Sequence, residues 1–208
     1  MTPKDNEKKL ATFLIDLSPS GMQRRLGDAL AVYVDAMRYP RGTEDQRASM
    51  WLEHIHRRGW KAVAAVEVPD HDGCDRSAEA LAAAPLLGVA YGYCGAPDQW
   101  WQQQVVAGLH RVGADRTRIA ELMTSYFELT ELHIAPHAQG RGLGEALTRR
   151  LLSDRGEAHV LLSTPEINGE ANRAWRLYRR LGFTDIIRGY HFAGDPRAFA
   201  ILGRALPL

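Results

Sequence analysis

A change of phase in one short apolar run constrains this chain more than any other feature. In residues 125–135, Phe127 and Leu129 alternate in one phase while Leu132 and Ile134 alternate in the other. A one-residue slip sends every later side chain of a strand to the opposite face, so a strand with one buried side needs an extra residue to make this change. The pattern predicts a β-bulge near Thr130 and Glu131. With that slip, all four apolar residues face the core, and Glu128, Glu131 and His133 share the other face. Bulges often re-aim side chains beside active sites. An ordinary solvated strand face is the alternative reading.

Directly after this run, Pro136-His137-Ala138-Gln139-Gly140-Arg141-Gly142-Leu143-Gly144 opens an amphipathic helix expected over residues 142–155. Alternating glycines let backbone N–H groups crowd towards one point at a helix N-terminus, where the dipole favours an anion. The turn is not the dinucleotide fingerprint, because Glu145 stands where G-x-G-x-x-G needs its third glycine. It is not a nucleotide-triphosphate loop either, since no Gly-Lys-Ser/Thr follows. A phosphate cradle and a purely structural turn both remain open.

Helical spacing of Leu26, Ala29, Leu30, Tyr33 and Met37 predicts a helix over residues 19–39. A second helix begins at Thr43, which forms a capping box with Gln46. Strands are expected over residues 60–68, Leu86–Cys94, 159–163, 183–192 and 197–206, and helices over 99–113 and 168–181. Such an order implies an α/β (α+β) chain, a mixed sheet with helices on both faces. At 208 residues and 45% hydrophobic, the chain suits one domain over residues 1–208.

Composition excludes several classes. Two cysteines, Cys74 and Cys94, supply neither a disulfide framework nor a four-cysteine zinc site. His54 and His56 diverge on a helix, and His133 and His137 lack a third nearby ligand, so no metal is expected. A net charge of +1 argues against nucleic acid or a membrane surface as partner. The apolar patch at residues 11–17 is interrupted by Asp16 and too short for a secretory segment, and cytoplasmic residence follows as the default. The charge is uneven, since residues 139–208 hold 11 arginines, no lysine and seven acids. The pairs Arg24-Arg25, Arg57-Arg58 and Arg149-Arg150 read as solvated helix faces.

Two motifs in tandem carry a family resemblance. Gln139 through Gly144 resembles the Q/R-x-x-G-x-G/A motif of the GNAT superfamily of acetyl-CoA-dependent N-acetyltransferases. One strand later, Ala174-Trp175-Arg176-Leu177-Tyr178-Arg179-Arg180-Leu181-Gly182-Phe183 resembles that family's A-x-x-L-Y-x-x-x-G-F. The resemblance implies a mostly antiparallel sheet, splayed at the bulged strand, with a coenzyme-binding core near residues 125–183. It implies acetyl-CoA as co-substrate and no metal. Gln139, Gly140, Arg141, Gly142, Leu143 and Gly144 would hold the pyrophosphate; Leu132, His133 and Ile134 would pair with the pantetheine. Glu128 would act as general base and Tyr178 as the acid that protonates the thiolate. The family commonly has an Asn seven residues before that tyrosine. Here Ala171 occupies that place, and Asn172, one residue on, is carried over, with Asn168 as a cap in its stead.

The chemistry is coherent in its own right. An alkylammonium has a pKa of roughly 10, so a base must take its proton before it can attack a thioester. Glu131 and His133 rival Glu128 for that role. No cysteine lies near the motifs, which favours direct attack in a ternary complex. The expected function is acetyl transfer to a primary amine of a small molecule or a protein N-terminus. A CoA-binding scaffold with little turnover is the main alternative, and a homodimeric module built on Trp100-Trp101 and the final strands is the third. Asp28, Asp35, Glu44, Asp45 and Glu53 read equally as walls for a cationic amine or as surface acids.

Overall fold

The computed structural model describes residues 9–167 and 172–208. The predicted bulge is present. Strand β4 (Tyr126–Ile134) pairs antiparallel with β3 (Leu86–Cys94), with Glu131 opposite Tyr91 and Leu129 opposite Gly92, so Thr130 is the unpaired extra residue. Phe127 and Leu129 are buried in the main core, and Leu132 and Ile134 pack against it.

One seven-stranded sheet runs β1-β2-β3-β4-β5-β7-β6, with β1 (Leu10–Leu17), β2 (Lys61–Pro69), β5 (His159–Pro165), β6 (Thr184–Tyr190) and β7 (Phe199–Ala205). Every neighbouring pair is antiparallel except β4 and β5. That parallel contact is confined to Tyr126, Phe127 and Glu128 against His159, Val160 and Leu161. Beyond Glu128 the strands part: β4 continues along β3 and β5 continues along β7. The sheet is therefore mostly antiparallel and splayed at its centre.

Helices α1 (Pro19–Arg24), α2 (Leu26–Met37), α3 (Thr43–Ile55) and α4 (Ala78–Ala83) precede β3. Helices α5 (Trp100–Arg111) and α6 (Arg116–Met123) lie between β3 and β4. Helix α7 (Leu143–Leu152) crosses from β4 to β5 and packs over β2, β3 and β4. Helix α8 (Arg173–Arg180) joins β5 to β6. Among the described residues, no helix is long and apolar enough to cross a membrane.

Several local expectations need correction. The patch at residues 11–17 is strand β1, paired along its length with β2. The single helix expected over residues 19–39 is two helices broken at Arg25, whose guanidinium bonds the carbonyls of Ala82 and Ala84 at the end of α4. The Thr43–Gln46 capping box does not form. Gly42 occupies the N-cap, and the Thr43 hydroxyl donates to the Pro40 carbonyl. Helices α4 and α6 were not anticipated, and the expected cap at Asn168 lies outside the described residues.

Gly92 shows how tightly the bulge is built. A Cβ there would run into the Glu128 carbonyl oxygen and the Phe127 ring. Overpacking of this kind costs about 1–3 kcal/mol. Gly92→Ala should therefore lower the chemical-denaturation free energy by about that amount, whereas Gly113→Ala, which meets open space at positive φ, should cost only the backbone strain of about 1 kcal/mol.

Candidate active site

The bulge places the polar side chains where two layers meet. Glu128 stands opposite Tyr93 on β3, Glu131 opposite Tyr91 and His133 opposite Val89, so all share the face that receives α2 and α3. A cavity of about 630 Å3 opens on this face. Glu128, Glu131, Leu132 and His133 line it from β4, Tyr93 from β3, Ser163 to Pro165 from β5 and Tyr178 from α8. Tyr33, His54, Trp100, Trp101 and Phe192 form much of its aromatic wall.

Glu128 is sealed at 4% exposure. Its Oε1 accepts from the Tyr93 hydroxyl at 3.4 Å and from the Thr130 hydroxyl at 3.5 Å. Its Oε2 is buried with no hydrogen-bond partner. Desolvation disfavours the charged carboxylate and pushes its pKa up to about 8, against the opposing pull of the Arg57 guanidinium and the two hydroxyls. Tyr178 is buried; desolvation, helped by the negative charge of Glu131, holds its phenol well above the usual tyrosine range. The Tyr178 ring packs on Phe183. His133 Nε2 meets Glu131 Oε2 at 2.5 Å, and the edge of Tyr33 rests on the imidazole.

Four residues that shape this site, His54, Tyr91, Tyr93 and Arg57, have little distinctive signal in the sequence. His54 Nδ1 and the Tyr91 hydroxyl are 3.0 Å apart, and burial pushes this histidine down to about 4, so it is neutral at pH 7. Its ring also packs against Tyr93. Arg57, one of the arginines expected on a solvated helix face, lines the cavity with its guanidinium 4.6 Å from the Tyr93 ring centre. The one cue is the Tyr91-x-Tyr93 alternation in the strand expected over Leu86–Cys94.

The glycine turn is ready for an anion. Gly140 and Gly142 have φ of 82° and 79°, and a Cβ on either would meet nothing within 4 Å. Gly142 caps α7 without a side-chain hydrogen bond, so the first-turn N–H groups have no cap partner. Gly144 lets α7 approach Leu177 of α8, where a Cβ would lie 3.0 Å from its Cδ2. From Leu129 to Ile134 the edge of β4 that faces β5 has no strand against it. Open turn, uncapped amides and bare strand edge together fit a pyrophosphate followed by an extended amide chain.

Other expected binding residues are placed differently. Gln139 braces the turn, donating to the Ile134 carbonyl at 3.1 Å and accepting from Arg173 at 2.9 Å. Arg141, expected inside the cradle, is instead committed to Glu67 at 2.9 Å and Thr12 at 2.8 Å. Asn172 caps α8 through the Ala174 amide at 2.8 Å, so its side-chain oxygen is engaged there. Leu143 is buried in the core. Of the five acids proposed for the acceptor wall, Glu53 alone lines the cavity; Asp28, Asp35 and Glu44 pair with Arg25 and Arg41.

Comparison with known proteins bears on this geometry. A family model described as "Acetyltransferase (GNAT) domain" matches residues 97–185. A curated protein of Mycobacterium tuberculosis, "GCN5-like protein acetyltransferase Rv2170", is 75% identical over 206 residues, covering 96% of this chain and 100% of its own. The chain belongs to the GNAT acetyltransferase family. Among solved structures, the ribosomal-protein-S18-alanine N-acetyltransferase of Escherichia coli superposes with a TM-score of 0.55 at 17% identity, covering 95% of this chain and 96% of that one. NAA60 of Arabidopsis thaliana, solved with a bisubstrate analogue, gives 0.57 at 16% identity, covering 95% and 100%. Both share this GNAT fold, a mostly antiparallel sheet flanked by helices.

The buried carboxyl also makes a prediction about stability. Glu128 has a folded pKa of about 8, above its ordinary 4.5. The folded state thus holds a proton that the unfolded chain has already lost, and stability falls as pH rises between those values. Glu128→Gln lacks this penalty. Its denaturation midpoint relative to wild type should climb from pH 5 to pH 8 and level off above; a difference independent of pH would contradict the burial.

Proposed function

We propose that this GNAT acetyltransferase moves an acetyl group from acetyl-CoA to a primary amine by direct attack in a ternary complex. The observation that carries this reading is the pairing of a buried carboxyl, one oxygen unpartnered, with a protonated tyrosine on one cavity. That cavity lies where β4 and β5 part. Bound there, acetyl-CoA supplies an activated acetyl carbonyl and a thiolate leaving group. The amides of Gly140 through Gly144 would hold its pyrophosphate, with Gln139 bracing the turn. The free edge of Leu132, His133 and Ile134 would align its pantetheine. Arg141 and Asn172 contribute through the scaffold, on the partners they already have.

Glu128 takes the ammonium proton of the acceptor at Oε2. Its raised pKa brings it nearer to an amine than an ordinary carboxylate, which suits a general base working near neutral pH. Glu131 is held by His133 and serves as the neighbouring fixed charge. Tyr178, kept protonated by burial, donates its phenolic proton to the departing sulfur. The relative's description as a protein acetyltransferase supports a protein amine as the acceptor.

Thiol release with acetyl-CoA against lysine and N-terminal peptides tests this reading. Glu128→Gln should lose about 10²-fold or more in kcat, in line with general-base contributions, and Tyr178→Phe should lose kcat with CoA affinity unchanged. Full activity in both variants would remove the assigned roles. Tight CoA binding by the wild-type protein without thiol release on any amine would favour the scaffold reading instead.

A further inference from the structure

We propose that Arg57 is a positioning residue for the base: its guanidinium, stacked on Tyr93, holds the Tyr93 hydroxyl against Glu128 and favours the carboxylate form in a closed site. The proposal rests on Glu128 as the base. It deepens that reading by naming what makes a sealed glutamate serviceable.

The geometry is a short chain of contacts from the end of α3 into the sheet. Arg57 follows the last turn of α3, its amide bonded to the His54 carbonyl at 3.0 Å. Its guanidinium lies 4.6 Å from the centre of the Tyr93 ring, close enough for a cation–π contact. The edge of His54 packs against the same ring, with centroids 5.1 Å apart. Clamped by these two groups, Tyr93 directs its hydroxyl to Glu128 Oε1. No ion pair joins Arg57 to a carboxylate among the described residues, so its charge is directed to the cavity it lines.

The other groups around Glu128 cannot substitute. Tyr91 and Tyr93 face it from β3, Tyr126 and Glu131 lie on its own strand, and His133 is bonded to Glu131. His54 stands behind Tyr93 and is neutral at pH 7. Glu131 opposes ionisation of Glu128, and neutral phenols lend hydrogen bonds without net charge. Arg47 and Arg197 also line the cavity, but Arg197 is paired with Asp195 and Arg57 is the cation whose charge acts on Glu128. Burial opposes the carboxylate form and a cationic neighbour favours it, so Arg57 increases the fraction of Glu128 able to accept a proton.

The test follows Glu128 directly by carboxyl-¹³C NMR of Glu-labelled protein, with Glu128→Gln identifying the resonance, in wild type, Arg57→Leu, Arg57→Gln and Arg57→Lys. This arm needs no acceptor. Arg57→Leu and Arg57→Gln should raise the Glu128 midpoint by about one pH unit, as expected on losing a nearby opposite charge, and Arg57→Lys should stay close to wild type. With acetyl-CoA and a lysine peptide, the acid limb of kcat/KM should move up by the same amount and the rates should converge at high pH. Thermal unfolding checks that each variant is folded; the Gln variant carries the test should Leu fail. An unmoved Glu128 midpoint overturns the proposal, including the case where only the peptide KM rises and Arg57 is thereby assigned to acceptor binding. If the acid limb survives in Glu128→Gln, the base reading fails, while the ¹³C titration still decides the role of Arg57.

Discussion

The site depends on a parallel contact that stops after three residue pairs. Strands β4 and β5 are joined by a crossover through α7, as parallel neighbours must be, and they hold together only from Tyr126 to Glu128. From there each strand is bound on its outer side to an antiparallel partner with its own twist, and the sheet opens. Helices α7 and α8 both begin beyond the C-terminal ends of these strands, the end of a parallel pair where ligand crevices form. The bulge at Thr130 adjusts β4 to this divergence. It keeps the apolar face of the strand on the core and turns Glu131 and His133 to the side that already carries Glu128.

Such an opening forces the protein to keep a carboxyl where water does not reach. The Glu128 side chain obtains two weak hydroxyl contacts for one oxygen and none for the other. An unsatisfied buried polar atom is costly, and natural proteins tolerate it mainly where function uses it. The surrounding phenols of Tyr91, Tyr93, Tyr126 and Tyr178 share one electrostatic situation: burial keeps each protonated, and a nearby glutamate reinforces the effect. The cavity thus combines one group that readily takes a proton with several that do not readily lose theirs.

What could be read from the residues follows from how local each determinant is. The bulge was legible because phase is carried by Phe127, Leu129, Leu132 and Ile134 within one short run, and Leu86–Cys94 because its apolar run holds no charged residue. Strand β1 was not, since Leu10, Thr12, Leu14 and Asp16 alternate with Ala11, Phe13 and Ile15 without a clear polar face, and most of the strand is half-buried on both sides. The break between α1 and α2 escaped notice because its cause, the hold of Arg25 on the end of α4, lies 57 residues away. At the site, Glu128 and Tyr178 stand within recognisable patterns and reach the cavity. His54 and Arg57 reach it only through the docking of α3 on β3, which no local spacing records.

The uneven charge has a related cause. Two arginines of the C-terminal third pair with acids near the N-terminus: Arg141 with Glu67, and Arg150 through a two-pronged contact with Asp16 at 2.9 and 3.0 Å. These contacts join the glycine turn and α7 to β1 and β2, so part of the basic excess complements an acidic excess across the same layer. Arg149 and Arg180 share Glu145, and Arg188 and Arg197 have carboxylates of their own. Arg173 differs. Its described hydrogen bond is to the amide oxygen of Gln139, the residue that braces the turn. Among the described residues Arg173 has no carboxylate partner, whereas Arg141 is matched by Glu67. Proximity in sequence to the glycines therefore does not mark an arginine as free of a carboxylate.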